Sequence, residues 1–430
     1  MTVRNTILDF SSLSAALGSN AGRTQEAVQT AAEEVTGNPV ERAQLVASFN
    51  TAMGKLREQD KGAGVLSSTD NPLASRLQSF LIEKALAEKP ESAVPVSGEV
   101  LEVKFDNHDI FGWLPTGLKA LFKVKPHPWV TPAPDAEPIG DRYRVALFSD
   151  WGTGLYGAPI IRASIERDPS FQMVMHLGDT YYSGTDNEIQ ERLLNVFPVV
   201  KPGVIRRTLN GNHEMYSGGK GYFNAALPFL GQGASCFAYQ NAKWLLVGLD
   251  TAYIDHNLDE KDKHGVNKTN QVEWLRQLVQ KAGDGRKVIL FSHHQPFSQL
   301  DSQGPKLVAA MGDDLLKRIH GWYWGHEHRC VIYSPHSDFN FKGRCIGHGG
   351  FPAFRDRFSG PATDAYDWHT LTENDDAPAC EVLDGANLFI DDGGPRYSPH
   401  GYVTLDFNGD DCTESYFAAD GKQLRDPQKL

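Results

Sequence analysis

Five short apolar runs in this chain each stop at a polar motif built from side chains that bind cations. Residues 145–148 lead into Ser149-Asp150-Trp151-Gly152, 173–177 into Gly178-Asp179-Thr180-Tyr181-Tyr182, and 204–209 towards Gly211-Asn212-His213-Glu214. Residues 288–291 are followed by Ser292-His293-His294-Gln295-Pro296, and 322–324 by Gly325-His326-Glu327-His328. Continuous apolar runs of this length, with a further one at 244–249, read as buried strands. Helical patterns at 158–167, 188–196 and 271–282 alternate with them, so the chain is α/β, with sheet layers covered by helices. Sheets of this class present ligands at the carboxyl ends of their strands, and five such ends here carry oxygen or imidazole donors. Any one motif alone reads as a capping carboxylate or a satisfied core histidine. The ordered set, each member directly after a strand, does not.

The first part of the chain has a different texture. Asn38-Pro39 and Asn71-Pro72 each pair a capping side chain with a proline suited to the first helical position. Leu45, Phe49, Met53 and Leu56 follow the first start at helical spacing, and Leu73, Leu77, Phe80 and Leu81 follow the second. Residues 1–95 are therefore expected to be a helical N-terminal region. Leu101, Val103 and Phe105 alternate with Glu102 and Lys104 as in a half-buried strand, and five prolines fall between 126 and 138. This makes 96–140 a strand and proline-rich linker, with the main domain at 141–430. Within it 351–400, rich in Asp, Gly and Pro, is expected to be a rim insertion, and 401–407 and 415–417 are closing strands.

Net charge excludes one class of partner. Forty-two basic against 54 acidic residues give −12, with no basic run to neutralise a nucleic-acid backbone. Cys236, Cys330, Cys345, Cys380 and Cys412 are far apart, odd in number and without CxxC spacing, which suits reduced thiols. After Arg4, the residues Asn5, Asp9, Ser11, Ser12 and Ser14 interrupt any secretory apolar core, and no stretch approaches the length of a membrane span. A cytoplasmic protein without a membrane span is the expectation.

The motif set DxG, GDxxY, GNHE, HxP and GHxH, spread over about 143–350, resembles the calcineurin-like metallophosphoesterases. In detail it resembles their purple acid phosphatase branch: Gly152 stands where other members have the histidine of DxH, and Tyr182 follows Asp179 by three residues. The resemblance implies a two-layer β-sandwich flanked by helices and two metal ions per chain. Metal one would take Asp150, Asp179, Tyr182 and His328; metal two would take Asp179, Asn212, His294 and His326. Two dications at about 3.5 Å repel by about 19 kcal/mol at an effective dielectric of about 20, so a shared anion is required, and Asp179 is the candidate. His293 is the alternative to His294; Pro296, two residues beyond His294, favours the latter. Donors without a thiolate suit iron, manganese or zinc. A Tyr182 phenolate favours Fe(III), hence iron paired with zinc, manganese or iron.

His213 resembles the family's GNH histidine, placed beside the leaving-group oxygen, and Glu214 could orient it. Tyr216 and Lys220, on the glycine-rich loop that follows, are the candidate substrate contacts. The implied reaction is hydrolysis of a small-molecule phosphate ester, read as a monoester, by hydroxide held on the metal pair. A diester such as a cyclic nucleotide or phospholipid head group on the same site is one alternative. A non-catalytic scaffold that keeps the fold is the other.

Overall fold

Both helix starts written at Asn-Pro pairs are used. The Asn38 side-chain oxygen accepts the Val40 N–H at 2.9 Å, and that of Asn71 accepts the Ala74 N–H at 3.0 Å. They open helices α2 (Pro39–Ala63) and α3 (Pro72–Glu88), which lie between α1 (Ala21–Val35) and α4 (Leu114–Phe122) in the sequence. Phe49, Met53 and Leu56 of α2 and Leu73, Leu77 and Leu81 of α3 are buried, so the apolar stripes are packing faces. A small sheet of β1 (Asn5–Leu8), β2 (Ala93–Ser97) and β3 (Val100–Val103), in the order β1-β3-β2, completes this part. Phe105, expected to extend the strand, lies outside the described residues.

The computed structural model describes residues 5–8, 18, 21–63, 71–88, 93–97, 100–103, 114–262, 264–301, 305–355, 358, 365–390 and 396–430. Its chain divides into two units: Met1–His127 with Tyr181–Glu191 and His213–Gly221, and Pro128–Thr180 with Arg192–Asn212 and Tyr222–Leu430. The division after His127 falls inside the proline-rich stretch.

The second unit is built on two sheets. One has the order β18-β17-β16-β5-β6-β7, from β5 (Arg142–Phe148), β6 (Met173–His176), β7 (Ile205–Thr208), β16 (Gly401–Asn408), β17 (Asp411–Ala418) and β18 (Gln428–Lys429). The other runs β14-β15-β12-β13-β11-β10-β9-β8-β4. Its strands are β4 (Glu137–Pro138), β8 (Phe237–Gln240), β9 (Trp244–Gly248), β10 (Lys287–Ser292), β11 (Ile319–Trp324), β12 (Cys330–Pro335), β13 (Lys342–Ile346), β14 (Asp367–Leu371) and β15 (Cys380–Asp384). Strands β5, β6 and β7 are parallel, as are β9, β10, β11 and β13.

Alternation along the strands makes a sandwich. Ile289 and Phe291 of β10 join Val145 and Leu147 of β5 and Met173 and Met175 of β6 in the core between the sheets. Val288 and Leu290 face the other way, against Leu275, Leu278 and Val279 of helix α6 (Gln271–Ala282). Helix α5 (Gly157–Glu166) follows β5. Two expectations are refined. The helix expected at 188–196 forms over 186–194, with Ile189–Leu194 wound as a π-helix, and is entered through a capping box in which Thr185 and Glu188 exchange hydrogen bonds. The segment 351–400 is not only a rim: β14 and β15 lengthen the larger sheet beyond β12. Arg355 there is tied to Asp384 by two bonds of 2.7 Å, while Arg357 lies outside the described residues. All five cysteines are buried free thiols. Among the described residues, no helix is long and apolar enough to cross a membrane.

Buried histidines couple this unit to pH. Burial pushes the His400 imidazole down to about 4 and that of His348 to about 3. As pH falls below about 6.5 the unfolded rings gain protons that the folded rings refuse, so this contribution to stability is present above that pH and is lost as pH drops towards 4. His400→Gln should remove about one proton from the uptake on unfolding at pH 5. The slope of unfolding free energy against pH measures it; equal slopes for variant and wild type contradict the assignment.

Candidate metal centre

Three of the five donor-bearing turns leave their strands sharply. Asp150, Asp179, His326 and His328 have φ of 53°, 75°, 68° and 54°, the left-handed region that costs a side chain with a Cβ about 1 kcal/mol or more. Dense packing holds them there. At Gly178, with φ 102°, a Cβ would stand 2.8 Å from His293 Nδ1, and at Gly325 one would stand 2.5 Å from Asp150 Oδ2, so only glycine allows these approaches.

The turns bring Asp150, Asp179, Asn212, His293, His326 and His328 together at the carboxyl ends of β5, β6, β7, β10 and β11. Asp150 is fully buried, accepts the His326 backbone N–H at 3.0 Å and stands 3.6 Å from His328 Nε2. Asp179 Oδ1 lies 3.2 Å from His293 Nε2. One ligand atom each from Asp150, Asp179 and His328 falls within 4.8 Å of the others, and the same holds for Asp179, His293 and His326. Asp179 belongs to both groups. Burial pushes the Asp150 carboxyl well above the usual range; His293 opposes this and the neighbouring Asp179 carboxylate adds to it.

The two adjacent histidines that follow β10 part company. His293 Nδ1 donates to the Leu177 carbonyl at 2.9 Å; a carbonyl can only accept, so Nε2 is the nitrogen that turns to the other donors. That nitrogen is 3.0 Å from Asn212 Oδ1, and His326 Nδ1 is 3.1 Å from the same oxygen and 3.2 Å from His293 Nε2. His294, favoured by Pro296, instead turns Nδ1 to Thr251 Oγ at 2.9 Å. Its ring lies against His256 and His326, and burial holds its pKa well below the usual range. His256 had no signal in the sequence. It sits on a loop outside the motifs, and only the fold brings it to His294.

Tyr182, His213, Glu214, Tyr216 and Lys220 belong to the first unit. The Tyr182 N–H donates to Glu188 Oε1 at 2.7 Å, and Ser79 of α3 donates to the same oxygen at 2.9 Å. The Tyr182 carbonyl accepts from His213 Nδ1 at 2.6 Å. Tyr181 and Tyr216 lie against the His213 ring at 3.8 Å and 4.7 Å between centroids. Glu214 is fully buried, Tyr216 half-buried and Lys220 exposed.

Residues 143–330 match the family model described as calcineurin-like phosphoesterase. This segment is a calcineurin-like phosphoesterase domain. No curated protein matches the chain. Among solved structures, GAP50, the anchor in the inner membrane complex of Plasmodium, is 14% identical, with 67% of this chain and 88% of that one covered and a TM-score of 0.48. The purple acid phosphatase PPD1 from yellow lupin seeds is 15% identical, with 71% and 55% covered and a TM-score of 0.45. PhoD is 10% identical, with 71% and 70% covered and a TM-score of 0.38.

The donor set of the phosphoesterase domain fits cations. Two buried carboxylates face imidazoles, and His293 Nε2 lies 3.0 Å from Asn212 Oδ1. A cation relieves the buried negative charge. Hard and borderline donors without sulfur suit first-row divalent or trivalent ions. Mn(II) at about 100 times its Kd should therefore stabilise the fold by about 2.7 kcal/mol, and Asp179→Asn should abolish the effect. Calorimetric unfolding with and without Mn(II) measures it; a midpoint indifferent to the ion contradicts the fit.

Proposed function

We propose that the phosphoesterase domain hydrolyses phosphate monoesters, with Asp150, Asp179 and His328 holding one metal ion and Asp179, Asn212, His293 and His326 holding a second. The observation that carries this reading is the His293 Nδ1–H bond to the Leu177 carbonyl. It commits the ring's proton and leaves Nε2 as a donor beside Asn212 Oδ1 and Asp179. Choosing His293 over His294 for the second ion rests on the same bond. When bound, a pair of cations supplies Lewis acidity, an activated water and charge neutralisation for phosphoryl transfer.

The chain's own residues do the rest. Asp179, common to both donor groups, holds the two sites at one spacing. Tyr182 is assigned as a further donor to the first ion and His213 as the proton donor to the leaving oxygen, on chain connectivity: one follows Asp179 by three residues, the other follows Asn212 directly. The Tyr182 carbonyl takes the His213 Nδ1–H, so the proton given to the leaving oxygen is the second one, carried at Nε2 of the protonated ring and regained from water after each turnover. A phenolate at Tyr182 supports Fe(III) in the first site, with zinc, manganese or iron in the second. The monoester assignment rests on the DxG and GDxxY motifs, and the five buried thiols support a reducing, cytoplasmic setting.

Turnover of aryl monoesters and diesters by Mn(II)-loaded protein tests the class. Monoesters should be the better substrates; a loaded protein that hydrolyses neither contradicts the proposal and favours a scaffold. His213→Ala should keep its manganese and lose about 10²–10⁴ in kcat, whereas Asp179→Asn should lose metal and rate together. Normal turnover by His213→Ala would remove that residue from the mechanism.

A further inference from the structure

His256, His294 and His326 bring one ring nitrogen each within 4.8 Å of one another, a grouping that contains no carboxylate. Their ring centroids lie 3.8 Å apart for His256 and His294, 4.7 Å for His294 and His326, and 5.4 Å for His256 and His326. Two of the nitrogens are unsatisfied. His294 Nε2 and His256 Nδ1 are buried and have no hydrogen-bond partner among the described residues. His294 itself is fully buried, and its other nitrogen is anchored on Thr251 Oγ at 2.9 Å. That is the support a ligating imidazole requires, with one nitrogen fixed and the other offered. Buried polar atoms left without a partner call for an ordered group to satisfy them.

We infer that His256, His294 and His326 form a third cation site, selective for zinc, beside the carboxylate-bound pair. Three imidazoles without an oxygen donor suit zinc over the harder manganese or magnesium, and three protein ligands leave a fourth position open. His326 Nδ1 already faces Asn212 and His293, so the third site takes the other nitrogen of that ring. The ring proton passes to solvent as zinc binds. The His256 side chain is 19% exposed whereas His294 is sealed, which makes His256 the side from which the ion arrives. The site does not depend on hydrolytic activity, so it stands or falls separately from the proposed reaction.

Equilibrium dialysis of metal-free, full-length protein against Zn(II), followed by elemental analysis, reads the site directly. Wild type should retain about three zinc ions per chain, and His256→Ala about two. His256→Cys, which returns a donor at the same position, should restore the count and give a thiolate-to-metal absorption band with Co(II). Equal zinc content in wild type and His256→Ala overturns the site. So does a His256→Cys variant that neither regains the ion nor shows the band. If His256→Ala keeps its zinc but binds vanadate more weakly, the imidazole contacts substrate and the cation assignment is wrong. Full zinc loading with the expected loss in His256→Ala, but no turnover of any ester, would uphold the site while refuting the hydrolase reading.

Discussion

Burying two carboxylates side by side is costly, and the centre of this molecule depends on that cost being met. Asp150 and Asp179 lie where water does not reach, and the groups turned towards them are imidazoles rather than the guanidinium or ammonium of an ordinary buried ion pair. The folded chain thus holds a concentration of lone pairs and negative charge that a cation neutralises. Strained backbone at Asp150, Asp179, His326 and His328 is the other half of the same arrangement, since those conformations persist only where packing enforces them.

The sandwich provides that enforcement. Parallel strands from both sheets end on the same side of the domain, so loops that are distant in sequence deliver their donors to one place. Large side chains between the sheets, among them Tyr323, Phe291 and Trp244, fix the spacing of the layers. The glycines at 178 and 325 then let the turns close to a distance no larger residue permits. Positioning of this quality suits a phosphoesterase, where the protein contributes chiefly placement and charge.

Much of the centre was legible before any coordinates. Asp150, Asp179, Asn212, His326 and His328 follow apolar runs directly, and strand exits are where an α/β fold puts its ligands. That His293 rather than His294 turns towards Asp179 and Asn212 was legible in principle. Ile289 and Phe291 point between the sheets, and an alternation continued by two residues carries His293 to the same side, facing the loops after β6 and β7. The position of Pro296 favours His294, which the same pleat turns towards Thr251. His256 was not legible, because a loop residue without periodicity meets its partners only through the tertiary fold. The same reason hides β14 and β15: a stretch rich in Asp, Gly and Pro reads as loop until a sheet edge pairs with it.

X-ray absorption at the manganese edge of the loaded protein measures the centre most directly. If the converging donors cage a pair of ions, the spectrum will show nitrogen and oxygen neighbours together with a metal–metal vector of about 3.5–4 Å. A shell of oxygen alone, with no imidazole scattering and no second metal, would mean that these side chains converge for some other purpose.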